Sequence, residues 1–111
     1  MGSKEERKMI RLLVMYPNEP GKRFDMDYYL TKHIPTANNA LKDMGLVRIE
    51  VDKGIAGMGP ETPPPFVAIA YMYFEDMNAL QNCMPVMSEE GASDLPNFSD
   101  VQPQIQISEI A

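Results

Sequence analysis

The chemistry-bearing residues of this chain gather in one stretch, Phe24-Asp25-Met26-Asp27-Tyr28-Tyr29-Leu30-Thr31-Lys32-His33-Ile34-Pro35, which holds its only histidine and two adjacent tyrosines. An imidazole beside phenols suits proton transfer near neutrality, with His33 as general base or acid and Tyr28 or Tyr29 orienting a substrate. Tyr29 precedes His33 by four residues and so shares its helix face. The competing reading is a half-buried histidine that only packs against aromatic neighbours.

Other chemistries find less support. Zinc takes three or four His, Cys, Asp or Glu ligands, and one His with one Cys makes a poor start. Gly54, Gly57 and Gly59 precede prolines and a strand rather than a helix, so they form no phosphate-cradling loop. No Gly-x-Ser-x-Gly elbow is present. Haem ligation by His33 stays open and weak. The expectation is no metal and no cofactor.

The elements around the stretch follow from spacing. Asp25 is placed to cap a helix, Phe24 and Tyr29 to staple it, and Pro35 to break it near His33 and restart it. This helix is expected from Asp25 to about Met44, burying Tyr29, Ile34, Ala37, Leu41 and Met44, with Gly45 as its stop. Ile10–Tyr16 and Phe66–Phe74 are continuously apolar and read as central strands. Leu46–Lys53 alternates and reads as an edge. Val101–Ile110 also alternates, and Pro103 demotes it to the other edge. Glu75–Met87 is the second helix, kinked at Pro85, with Met77, Leu80, Met84 and Met87 on one face. Gly91–Asp100 reads as a turn-rich connection. The Gly54–Pro65 loop is long enough to suggest that it binds or covers something. The order βαββαβ, with right-handed crossovers, predicts an α+β ferredoxin-like fold with a four-stranded antiparallel sheet. One sheet face is left apolar by the helices, which argues for a homodimer.

Length and composition agree. The chain has 111 residues, 44% of them hydrophobic, enough for one core. Its net charge of −6 argues against nucleic acid and against an anionic membrane surface. Ten methionines and no tryptophan suggest an adaptable interior. Cys83 is alone, which fits a reducing cytoplasm and a buried inert thiol. No spanning segment is apparent. Residues 1–8 read as a frayed leader or expression remnant, and 9–111 as the domain.

Several stretches carry a resemblance: Tyr16-Pro17-Asn18-Glu19-Pro20-Gly21-Lys22-Arg23-Phe24-Asp25, Tyr28-Tyr29, His33-Ile34-Pro35, Lys53-Gly54-Ile55-Ala56-Gly57, Tyr71-Met72-Tyr73-Phe74, Pro96-Asn97-Phe98-Ser99-Asp100 and Ile105-Gln106-Ile107-Ser108-Glu109. Together they resemble the ethyl tert-butyl ether degradation (EthD) family of the dimeric α+β-barrel superfamily. The resemblance implies a ferredoxin-like subunit, a dimer, and a cleft between sheet and helices. The family is named for a gene neighbourhood around a cytochrome P450 system. Its superfamily includes cofactor-free monooxygenases, polyketide cyclases, lactone isomerases and haem-handling proteins. The expected activity is cofactor-independent proton transfer, oxygenation or isomerisation of a small apolar molecule, the work of an oxidoreductase, isomerase or cyclase. The alternative is a non-catalytic carrier of a hydrophobic metabolite, accessory to a P450-type degradation system. The expected catalytic groups are His33 and Tyr29, and the expected substrate contacts are Tyr28, Tyr71 and Met72.

Overall fold

A computed structural model describes residues 9–111; the proposed leader at 1–8 lies outside the described residues. Four strands form one antiparallel sheet: β1 (Ile10–Pro17), β2 (Leu46–Lys53), β3 (Phe66–Phe74) and β4 (Gln104–Glu109), in the order β2-β3-β1-β4. The two continuously apolar strands are the central ones, each paired along both edges. β4 begins at Gln104 rather than Val101. Val101 instead turns inward and is buried, while Ser99 closes the local turn by accepting from the Val101 amide and donating to its carbonyl.

The first helical segment has three parts. Helix α1 (Met26–Tyr28) starts at Asp25, whose carboxylate accepts from the Tyr28 amide at 3.0 Å. Phe24 and Tyr29 meet across this cap with ring centroids 5.2 Å apart. A π-turn (Tyr29–His33) follows, in which the Ile34 amide reaches back to the Tyr29 carbonyl. Helix α2 (Ile34–Leu41) then resumes with Pro35 in its first turn. Proline has no amide hydrogen and its ring crowds the preceding turn. The expected break near His33 is therefore a widened turn, a feature often found at functional sites. Of the residues expected to be buried here, Tyr29 and Leu41 are; Ile34, Ala37 and Met44 are half-buried.

Gly45 ends this unit at φ +100°, and a Cβ there would lie 2.4 Å from the Ala79 Cβ. Only glycine accommodates both constraints. Helix α3 (Met77–Asp94) runs seven residues beyond the expected end at Met87. Asp76 caps it by accepting from the Ala79 amide, and Pro85 sits inside it without ending it. Its buried residues are Ala79, Leu80 and Cys83; of the expected face Leu80 is buried and Met87 packs against the core, while Met77 and Met84 are more exposed. A short 3₁₀ turn (Leu95–Asn97) completes the crossover to β4.

Both helical units cover the same sheet face. Beneath them lie two core clusters. One gathers Leu12, Leu41, Met72, Phe74, Leu80 and Cys83. The other gathers Tyr16, Tyr29, Ala68, Ala70, Phe98 and Val101. Ala68 and Ala70 extend no further than Cβ, which leaves room for the large rings above them. Residues 54–65 pair back on themselves as a tongue, through Gly54 N to Val67 O, Gly57 N to Thr62 O and Thr62 N to Gly59 O. Met58 at its tip is fully exposed. No helix of the described residues is long and apolar enough to cross a membrane.

Candidate active site

A cavity of about 670 Å³ opens between the sheet and the helices. Its walls are Leu12, Val14 and Met72 from the sheet, Leu41 from α2, and Met84 and Met87 from α3. This size and apolar lining suit a small organic ligand. Its polar lining includes Tyr16, Tyr28, Lys32, His33, Thr36 and Asp94, with Glu90 and Gln102 also on its wall.

The focus of these groups is Asp94, at the last turn of α3. His33 Nδ1 lies 2.7 Å from Asp94 Oδ2. The Tyr28 hydroxyl donates to Oδ1 at 2.8 Å, and the Asn97 side-chain amide donates to the same oxygen at 2.9 Å. Burial alone would raise the Asp94 carboxyl. The bonds from Asn97, His33 and Tyr28, together with the field of His33, outweigh it and hold the carboxyl below its ordinary value. The hydrogen bond to Asp94 raises the Tyr28 phenol, so Tyr28 stays a donor. An ionised Asp94 requires Nδ1 to carry a hydrogen. A neutral His33 then has its lone pair on Nε2, the nitrogen not committed to Asp94.

Rings fix the imidazole. His33 stacks on Tyr29 at 5.5 Å with 15° between the planes, and leans on Phe98 at 4.6 Å. Phe98 is fully buried and also meets Tyr16, Phe24, Tyr28 and Tyr29. Two distant segments hold it there. The Arg23 guanidinium donates to the Pro96 and Asn97 carbonyls, the Asp25 amide to the Phe98 carbonyl, and the Asp100 amide to the Arg23 carbonyl. This clamp fixes the segment that follows Asp94, and so sets Asp94 against His33.

The expected residues divide accordingly. His33, Tyr28 and Met72 line the cavity. Tyr29 does not: it is 1% exposed and supports the imidazole from behind. Tyr71 is on the opposite sheet face, near Asp52, Tyr73 and Arg11. Adjacent strand residues point to opposite faces, so Tyr71 and Met72 do not share a cleft. Tyr28, expected to contact substrate, spends its hydroxyl on Asp94. Asp94 and Tyr16 are the residues that sequence reasoning missed. Asp94 fell in a stretch read as loop. Among the described residues, no three His, Cys, Asp or Glu side chains converge as a metal site would require.

The segments that build this clamp and dyad lie within residues 21–102, and that span matches the EthD domain. The chain belongs to the EthD family. A solved EthD-like protein from Ralstonia eutropha JMP134 is 34% identical, over 94% of this chain and 93% of its own, with a TM-score of 0.87. An EthD-family protein from Bacillus halodurans C-125 is 22% identical over 91% of this chain and 97% of its own, with a TM-score of 0.66. A protein from an uncultured marine organism, described as dimeric and ferredoxin-like, shares 14% identity and the fold. It aligns over 93% of this chain and 92% of its own, with a TM-score of 0.53. No curated protein matches this EthD chain.

Proposed function

We propose that this EthD protein moves a proton on a small apolar carbon acid held in the cleft, with His33 Nε2 as the base and no bound cofactor. The observation that carries the reading is the 2.7 Å contact of His33 with Asp94 on the wall of a largely apolar cavity. A carboxylate on one imidazole nitrogen fixes the tautomer and stabilises the imidazolium that forms. Isomerisation, cyclisation or reaction with oxygen are all open to the resulting carbanion. Cytoplasmic action fits the single buried thiol, Cys83.

We further infer a homodimer joined through the sheet face turned away from the helices. That face carries Leu13, Met15, Ile69 and Tyr71, all half-buried, and beside them the buried Arg11 Nε has no hydrogen-bond partner among the described residues.

The test uses β-tetralone, a carbon acid of suitable size, in deuterium oxide. Exchange of its hydrogens beside the carbonyl is followed by NMR with wild type, His33→Gln and His33→Asn. Loss of about 10²–10⁴-fold in exchange with an unchanged melt is expected. Should both variants melt several degrees lower while exchange tracks only the folded fraction, His33 is a packing residue and the reading falls.

A further inference from the structure

Resting on that reading, we infer that Tyr16 is a second catalytic residue, the hydrogen-bond donor to the oxygen of an enolisable carbonyl substrate whose carbon-bound proton His33 removes. Both residues reach the cavity and both pack on the same two rings. Tyr16 lies 5.4 Å from Tyr29 and 5.9 Å from Phe98; His33 lies 5.5 Å and 4.6 Å from them. Both therefore border the Tyr29–Phe98 ring pair. Tyr16 keeps the regular β1–β3 register opposite Ala68, so strand alternation puts it on the cavity face with Leu12 and Val14.

The division of labour among the tyrosines supports the same assignment. The Tyr28 hydroxyl is committed to Asp94 and Tyr29 does not line the cavity. A phenol can accept from one neighbour and still donate to another. The Tyr16 hydroxyl, beside that of Tyr29, is not tied to Asp94 as the Tyr28 hydroxyl is. Burial, offset in part by the neighbouring Tyr29 hydroxyl, pushes its phenol up to about 12, so at neutral pH it is a donor and not an anion. It is 3% exposed and wedged against Phe24, Tyr29 and Phe98, so it needs no reorganisation when charge develops.

The step balances without an oxidant. Nε2 takes a proton from the carbon beside the carbonyl. The C–H pair becomes the new C=C bond, the carbonyl π pair moves to oxygen, and the Tyr16 O–H donates to that oxyanion. Return of the proton to the same carbon gives exchange, and, where a C=C lies next to that carbon, return to its far carbon gives the conjugated isomer; either leaves His33 neutral.

β-Naphthol mimics the flat enol, and naphthalene is the same ring system without the oxygen. Titration of both into wild type, Tyr16→Phe and His33→Gln tests the donor apart from the base. Wild type and His33→Gln should prefer β-naphthol by about tenfold or more, and Tyr16→Phe should lose that preference while holding naphthalene as before. If Tyr16→Phe keeps the preference, Tyr16 is not the donor, although His33 can still be the base. If Tyr16→Phe does not fold, wild type alone decides: equal affinity for the two probes overturns the inference. Failure of wild type to bind either probe removes both this inference and the cleft reading beneath it.

Discussion

Replacing Asp94 with Asn changes few atoms and tests the dyad directly. The wild-type carboxylate accepts three hydrogen bonds, at 2.7, 2.8 and 2.9 Å. An amide offers one oxygen and one NH₂. With its oxygen kept toward Tyr28 and Asn97, the NH₂ faces His33 and needs Nδ1 as an acceptor. The proton then moves to Nε2, and that nitrogen is no longer a base. With the amide reversed, the NH₂ faces the Asn97 amide and the Tyr28 hydroxyl, and one of these donors is left without a partner. Either way a hydrogen bond to a charged acceptor is lost. Such bonds contribute about 1.5–3 kcal/mol. Because Asp94 is 25% exposed and water can replace part of the loss, about 1–2 kcal/mol of stability is expected to go. The catalytic effect should be larger: about 10²–10⁴-fold in β-tetralone exchange, since the base sits in the wrong tautomer. The assay is exchange by NMR beside a thermal melt. An Asp94→Asn protein that exchanges β-tetralone at the wild-type rate would show that the dyad is structural and refute the reasoning.

The Asp94 carboxyl, held below its ordinary value of 3.8, also predicts a pH response. A depressed carboxyl contributes stability that is fully present above that value and is lost as the pH falls through the lower folded value. The difference in Tm between wild type and Asp94→Asn should therefore shrink in strong acid. Gly45→Ala should cost roughly 2–4 kcal/mol, from the left-handed backbone and the clash with Ala79, and lower Tm by roughly 10–20 °C. A smaller drop would mean that the Gly45 turn relaxes. Light scattering at micromolar concentration should give about twice the 12.5 kDa subunit mass, and a stable monomer would refute the sheet-face dimer.

Much of the scaffold was legible because it rests on local rules. Asp25 as cap, Pro35 in the restarted turn and the central placement of β1 and β3 each follow from one residue type or one apolar run. The candidate site was legible only in half. His33 announced itself as the sole imidazole, but Asp94 lies 61 residues away and reaches it only through tertiary structure. Pro85 and Gly91 argued for an early end to α3, yet the helix runs on to Asp94, whose carboxylate is tied to Tyr28 and His33. Tyr71 was a different error, and an avoidable one: the two-residue period of a strand already separates it from Met72. Tyr16 shares the cavity face of Leu12 and Val14 by strand alternation, so its direction was legible and only its nearness to His33's supporting rings, Tyr29 and Phe98, was not.

The tongue at residues 54–65 allows the chain to be divided. It contributes no wall to the cavity, and Met58 at its tip stands free in solvent. A cut after Met58 would yield one piece with β1, β2, Tyr16 and His33, and another with β3, α3, β4 and Asp94. Exposed loop tips of this kind tolerate nicking. The three strand pairings, β1 with β3, β1 with β4 and β2 with β3, all cross the cut. Neither piece has a complete sheet or a complete dyad, so proton exchange would appear only on complementation, and its rate would count reassembled molecules.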